Sequence, residues 1–172
     1  METINRAKHL FPGEGKSLWV AGELVTLKVV GEEVDEAFSL WEEVTPPQGG
    51  PPPHIHRRED ETFYVLEGEL EFLVGDRTVQ AAAGSVVYAP RDNPHTFKNV
   101  GTTPSRILVL VTPAGLEKFF EEVGEPVTDP SSPPAFGAKE IERLLAVAPK
   151  YGQEILPPSS IPEADFPGSD EK

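Results

Sequence analysis

The stretch GGPPPHIHRREDETFYVLEG, residues 49–68, decides both the fold and the chemistry of this chain. His54 and His56 are two residues apart, so an extended backbone places both imidazoles on the same face. Glu61 opens the β-type run that follows, and Phe63 shares its face by the same alternation. The stretch therefore predicts two imidazoles and one carboxylate that project from neighbouring strands.

A second stretch, GSVVYAPRDNPHTFKN at residues 84–99, supplies a third imidazole. His95 follows a turn, and Asn99 lies four residues later, where we interpret it as a hydrogen-bonding turn anchor. Phe97 shares the face of His95 by alternation. If strands bring the two stretches together inside a barrel, three imidazoles and a carboxylate converge.

These residues have two interpretations, of which a metal site is the more specific. The alternative treats the histidines as solvent-facing loop residues and the acidic run at 57–61 as a solvated cluster, in which Glu59 competes with Glu61 as a ligand. The spacing, and the alternation of Glu61 with Phe63, favour Glu61. We therefore predict one divalent first-row metal site, because the chain has no cysteine and imidazoles with a carboxylate suit such ions. Its ligands are His54, His56, Glu61 and His95, and the ion is Fe, Mn, Ni, Cu or Zn.

The rest of the chain predicts an all-β unit followed by short helices. Closely spaced β-type runs without intervening helices favour an antiparallel sandwich or barrel. After Pro113, apolar stripes at helical spacing predict two helices, at 114–123 and 138–148. The predicted β-runs are 17–30 (one bent strand or a hairpin), 37–44, 62–66, 69–74, 78–81, 85–89, 96–100 and 106–112. The predicted units are a β-barrel at 1–112, a helical extension at 113–156 and a Pro- and acid-rich tail at 157–172.

The charge of the chain excludes some partners. Lys+Arg 15 against Asp+Glu 29 gives 15 − 29 = −14, a field that repels phosphate backbones and anionic bilayers. We therefore expect no nucleic-acid or membrane partner. The chain shows no signal-peptide pattern and no apolar stretch long enough to cross a bilayer, which predicts a cytoplasmic protein.

The two stretches together resemble the two motifs of the cupin family. The order Gly49/Gly50, His54, His56, Glu61 and Gly68 matches the first motif, and the order Gly84, Pro90, His95 and Asn99 matches the second. The leading glycine is one or two places closer to His54 than in the family pattern. Asp92 replaces the glycine that usually follows Pro90. The resemblance implies an antiparallel double-stranded β-helix, the cupin jelly-roll barrel, with a metal held inside it and a frequent homodimer.

Within that family, the stretch ETFYVLEGELEFLVGD at residues 61–76, with one β-unit and a trailing helical segment, resembles the single-domain quercetin-dioxygenase-like cupins. This resemblance implies a metal-dependent oxidoreductase, a dioxygenase for a small aromatic or enolic substrate such as a flavonol or diketone, with Glu61 as ligand and catalytic proton acceptor. The alternative is a metal-bearing binding or sensing module, or a metal-dependent isomerase or lyase without oxygen chemistry. Five residues are predicted to line the substrate pocket or its mouth: Phe63, Phe97, Gln48, Trp41 and Tyr88.

Overall fold

Two antiparallel sheets form the protein, as the expected jelly-roll barrel requires. The computed structural model describes residues 7–135 and 137–157. One sheet has seven strands in the order β11-β1-β2-β3-β10-β5-β8, and the other has five in the order β12-β4-β9-β6-β7. The strands are β1 Lys16–Val20, β2 Glu23–Val29, β3 Ser39–Thr45, β4 His54–His56, β5 Asp60–Glu67, β6 Glu69–Val74, β7 Arg77–Ala82, β8 Val86–Ala89, β9 His95–Asn99, β10 Ser105–Thr112, β11 Glu125–Pro126 and β12 Gln153–Ile155. The helices are α1 Glu117–Val123 and α2 Ala138–Val147, with 3₁₀ turns at Gly31–Glu33 and Ala148–Tyr151.

Alternation along the strands builds the core between the two sheets. In β10 the buried positions are every second residue, including Ile107, Val109 and Val111. Three aromatic rings from both sheets meet at the centre. The Phe63 and Phe72 centroids are 5.1 Å apart, and the Phe72 and Phe97 centroids are 5.4 Å apart. Because both sheets contribute to one apolar cluster, packing fixes the positions of β4, β5 and β9 relative to one another.

Turn chemistry accounts for the hairpin at the start of the chain. Ala21 and Gly22 both have positive φ, 53° and 85°, as a two-residue type I′ turn requires. The predicted run at 17–30 is therefore a hairpin, made of β1 and β2, rather than one bent strand. The other predicted β-runs correspond to strands of the structure within one or two residues at most ends.

The first helix is shorter than the sequence predicts. It begins at Glu117 rather than at residue 114, because Gly115 has φ +132° and interrupts the helical backbone. The Glu117 carboxylate is buried and accepts hydrogen bonds from the backbone N–H groups of Gly31 (2.9 Å) and Gly115 (2.7 Å). Phe119 and Phe120 then lie over one end of the barrel, and Phe120 packs edge-on against Trp41 at 4.9 Å.

Residues after Thr112 also add strands that the sequence pattern did not reveal. β11 pairs with β1, and β12 pairs with β4, so that Gln153 lies opposite His56 and Ile155 opposite His54. Runs of two and three residues are too short to show alternation, which is why they were missed. Of the predicted tail at 157–172, residues 158–172 lie outside the described residues.

No helix within the described ranges is long and apolar enough to span a membrane.

Gly50 holds the segment before β4 close against β9. Its φ is +153°, and a Cβ at this position would overlap the backbone carbonyl of Phe97. We expect Gly50→Ala to destabilise the protein by about 2 kcal/mol or more, because strain and steric overlap add. Gly84→Ala is the matched control: Gly84 also has positive φ, +91°, but nothing lies within 4 Å of its added Cβ. Urea unfolding of both variants measures the difference, and equal losses would contradict the steric argument.

Candidate metal centre

Three short strands bring the predicted ligands together. His54 and His56 lie on β4, His95 is the first residue of β9, and Glu61 is the second residue of β5 in the opposite sheet. His54 and His95 are direct partners in the β4–β9 ladder. One ligand atom from each of the four residues lies within 4.8 Å of the others. The structure therefore gathers all four residues into one cluster.

The hydrogen bonds of two imidazoles leave their Nε2 atoms facing the cluster. The Nδ1 atom of His54 lies 2.8 Å from the Pro52 carbonyl oxygen, and that of His95 lies 3.0 Å from the Asn93 carbonyl oxygen. A carbonyl only accepts, so each Nδ1 carries the proton and donates it. In the neutral form this tautomer leaves the lone pair on Nε2, as metal ligation requires.

His56 contributes the observation that best fits a bound ion. Its ring is buried, and neither nitrogen has a hydrogen-bond partner in the structure. Nε2 lies 3.1 Å from Glu61 Oε2, and Nδ1 lies 3.8 Å from Glu59 Oε2. An unsatisfied buried nitrogen among two other imidazoles and a carboxylate is what a divalent ion would satisfy. Glu59, the competing ligand, is buried on the Nδ1 side of this ring and is not part of the cluster.

Electrostatics keep the carboxylate of this cluster charged. Burial alone would raise the pKa of Glu61, but the nearby His56, together with the hydrogen bond and the charge of His95, lowers that pKa well below its ordinary value. The same contact acts in reverse on His95. Burial would lower its pKa, but the hydrogen bond to Glu61 Oε2, at 2.8 Å, and the charge of Glu61 raise it. Without an ion, Glu61 and His95 therefore form a charged pair.

His54 stays neutral over a wide pH range. Burial lowers its pKa well below the ordinary value, and the neighbouring His95 and His56 lower it further. Its ring centroid is 4.4 Å from that of His95 and 4.9 Å from that of His56. A neutral imidazole is the form that ligates a metal, so this residue needs no deprotonation before an ion binds.

The cluster opens into a cavity of about 80 Å³ inside the barrel. Three of the five predicted pocket residues, Phe63, Phe97 and Trp41, line it. His54, His56 and Glu61 form one wall. The cavity is closed by residues from the C-terminal segment, which the sequence pattern did not assign to the pocket: Leu116, Phe119, Phe120, Leu144, Gln153 and Ile155.

Gln48 and Tyr88, which were predicted for the pocket or its mouth, do not line the cavity. Tyr88 lies opposite Thr62 in the β5–β8 ladder, on the outer face, and is 55% exposed. Its neighbours Val87 and Ala89 are the ones that point inward. Gln48 is an exposed turn residue with φ +62°. Period-two alternation fixes which residues share a face but not which face is inside.

Two buried carboxyl groups of this cavity were missed altogether. Glu23 on β2 and Glu43 on β3 both line it, at 5% and 7% exposure. The alternation Trp41, Glu43, Thr45 contains the signal, since a strand that buries the first and third of these residues also buries the second. An isolated glutamate in a strand is normally assigned to solvent, which hides that signal.

Comparisons with known proteins agree with this architecture. A model of the cupin domain matches residues 41–111, which contain all four clustered residues. Quercetin 2,3-dioxygenase of Bacillus subtilis is 22% identical over 146 residues, which cover 85% of this chain and 43% of that protein. The matched part is less than two thirds of the length of the first curated relatives, at 43% and 60%.

Two crystal structures share the fold. A predicted oxalate decarboxylase from Thermotoga maritima superposes with a TM-score of 0.58 at 20% identity, covering 62% of this chain and 99% of that one. An RmlC-like cupin from Shewanella frigidimarina gives 0.55 at 17% identity, covering 67% and 99%. Residues 41–111 of this chain therefore match the cupin domain, and the antiparallel barrel around the histidine and glutamate cluster has the fold of these two structures.

Proposed function

We propose that the protein is a metal-dependent dioxygenase that acts on a small enolic substrate. The observation that carries this proposal is the position of the cluster: His54, His56 and Glu61 line a cavity whose other lining residues are mostly apolar and aromatic. Such a cavity both binds a small organic molecule and excludes bulk water from it. The sequence similarity to quercetin 2,3-dioxygenase supports oxygen chemistry among the reactions that this class of site performs.

The size of the cavity selects among the substrates that the sequence leaves open. A volume of about 80 Å³ holds a ligand of only a few heavy atoms. For comparison, a dry protein cavity of about 150 Å³ binds one benzene ring, and a flavonol has three rings. A small diketone or other enolisable carbonyl compound is therefore a better fit than a flavonol.

Each residue of the cluster has a defined role in this proposal. His54, His56, His95 and Glu61 would hold a divalent ion, and a bound ion of this kind supplies Lewis acidity and, where it is redox-active, electron transfer to oxygen. The backbone carbonyls of Pro52 and Asn93 orient two of the imidazoles. Phe63, Phe97 and Trp41 exclude water from the ligand. The role of Glu61 as a proton acceptor stays a prediction.

Oxygen uptake tests the proposal. The protein is prepared without a tag, its native metal is measured by elemental analysis, and it is then loaded separately with Fe(II), Mn(II), Ni(II) or Cu(II). We expect oxygen consumption with acetylacetone under at least one of these metals, and less with quercetin or catechol. Saturable binding of acetylacetone without oxygen uptake under any of the four metals would overturn the dioxygenase assignment.

A second candidate, a metal-dependent isomerase or lyase, is favoured by the buried carboxyl groups of Glu23 and Glu43. Such groups can hold and move protons without oxygen chemistry. The same panel, incubated anaerobically and followed by product analysis, separates the two candidates. Conversion without oxygen would support the second candidate, and a strict oxygen requirement would support the first.

Three further expectations stay predictions. They are a homodimer, a cytoplasmic location and the absence of nucleic-acid and membrane partners.

A further inference from the structure

Glu23 and Glu43 form a pair of carboxyl groups inside the barrel, on the cavity that the metal cluster also lines. They lie on adjacent strands, β2 and β3, in which Leu24 is opposite Val44 and Val25 is opposite Glu43. The Thr45 hydroxyl donates to Glu23 Oε1 at 3.1 Å, and the Trp41 indole N–H donates to Glu43 Oε2 at 3.2 Å. Neighbouring residues thus hold both carboxyls in place without neutralising them.

Packing alone does not account for two carboxyls at this position. Burying an unpaired carboxylate costs several kcal/mol, so such groups are normally paired with a cation. Within residues 7–135 and 137–157, neither Glu23 nor Glu43 forms an ion pair with a lysine or arginine. The neighbouring Glu42 does form such pairs, with Lys28 at 3.9 Å and Arg106 at 3.8 Å.

The pair holds a proton instead of a cation. Burial raises the pKa of Glu23 well above its ordinary value, and the charge of Glu43 raises it further. Burial also raises the pKa of Glu43, to about 7, with a further contribution from the charge of Glu61 across the cavity. Both shifts favour the protonated form of the pair. A protonated carboxyl beside a second carboxyl can both donate and accept a hydrogen bond.

We propose that Glu23 and Glu43 form the recognition site for a hydroxyl or carbonyl oxygen of the ligand, and that they exclude ligands with a carboxylate at that end. This inference rests on the proposed function in one respect, namely that a ligand occupies the cavity beside the metal cluster. The observation that supports the inference is that both side chains are more than nine-tenths buried and line that cavity.

The chemistry of the pair defines the ligand class. A protonated carboxyl donates to a carbonyl or enolate oxygen, and an ionised one accepts from a hydroxyl. A second carboxylate on the ligand would face this acidic pair in apolar surroundings, where the ionised member of the pair would repel it. The cavity therefore selects small neutral or singly charged hydroxy- and oxo-compounds over dicarboxylates.

Three matched three-carbon probes test this inference: 3-hydroxypropanoate, propanoate and malonate. Calorimetric titration of the metal-loaded protein should show the tightest binding for 3-hydroxypropanoate. In E23Q/E43Q, which removes the charge and keeps the shape, the affinity for malonate relative to 3-hydroxypropanoate should rise at least about tenfold, equivalent to about 1.4 kcal/mol.

The matched control is Glu42→Gln, which removes the same charge from the outer face of the same strand. A ratio that changes less than twofold in E23Q/E43Q, or as much in Glu42→Gln, would overturn the inference.

An infrared measurement keeps the inference testable if the double variant does not fold. The wild-type protein at neutral pH should show the carbonyl stretch of a buried, protonated carboxylic acid, and the single variant Glu43→Gln should weaken or shift that band. Absence of the band from the wild type would overturn the inference.

These readouts separate the inference from the proposed function. If no substrate consumes oxygen but the probe ratio changes as expected, the dioxygenase assignment fails and the recognition site stands. If the wild-type protein binds no metal, elemental analysis reveals the failure of the metal centre, and the infrared band alone then decides whether the pair holds its proton.

Discussion

Replacing His56 with alanine is expected to abolish stable metal binding and, with it, any metal-dependent turnover. His56 is buried, and its Nε2 atom has no hydrogen-bond partner among the described residues, so its lone pair is available to ligate an ion. Changes to groups that merely orient a ligand cost about 10–100-fold in metal affinity, so loss of a ligand should cost at least about 100-fold. Elemental analysis after gel filtration measures the metal content per chain.

Two controls separate loss of the ligand from loss of the fold. His9→Ala removes a histidine that is exposed and lies outside the cluster, and it should leave the metal content unchanged. His56→Gln keeps most of the buried volume and should still lose the ion. Unchanged metal stoichiometry in both His56 variants, with the native thermal transition retained, would show that this histidine is not a ligand.

The ligand set was predictable because it depends on local spacing. Two residues that are two apart on a strand share a face whatever the tertiary context, which is how His54 and His56 come to lie together. Local spacing does not predict that His95 joins this cluster, because His95 and Glu61 lie in different sheets. Only the resemblance to a two-motif family connected the two stretches before the structure did.

The walls of the cavity were less predictable because they depend on tertiary context. Phe63 and Phe97 were predicted to line the pocket because alternation puts them on the same faces as Glu61 and His95. Tyr88 shares its face with no ligand, and its side chain points outward. β12 pairs with β4 through only three residues, Gln153–Ile155, and that is too few for a pattern. Glu43 was missed because charge normally indicates solvent, and here burial raises its pKa instead.

The Glu23 and Glu43 pair also predicts how the stability of the metal-free protein depends on pH. The pKa of Glu43 is about 7 in the folded protein and near the ordinary glutamate value of 4.5 in the unfolded chain. Because the folded pKa is the higher one, this group contributes stability that is fully present below pH 4.5 and is lost as the pH rises towards 7. The size of this loss is about 3 kcal/mol, since each pKa unit corresponds to about 1.4 kcal/mol.

Glu43→Gln removes the titrating group and should remove this loss. The variant should therefore become progressively more stable relative to the wild type between pH 4.5 and about 7, by about 3 kcal/mol in total, with no further change above that range. Glu61 and the cluster histidines are present in both proteins, so most of their titration cancels in the difference. The pKa of Glu23 falls when the charge of Glu43 is removed, so its contribution does not cancel and acts in the same direction. Urea unfolding in the presence of a chelator measures it, with Glu42→Gln as the control that should show a small and nearly pH-independent change. A difference between Glu43→Gln and the wild type that is constant over this range would show that Glu43 ionises normally in the folded protein.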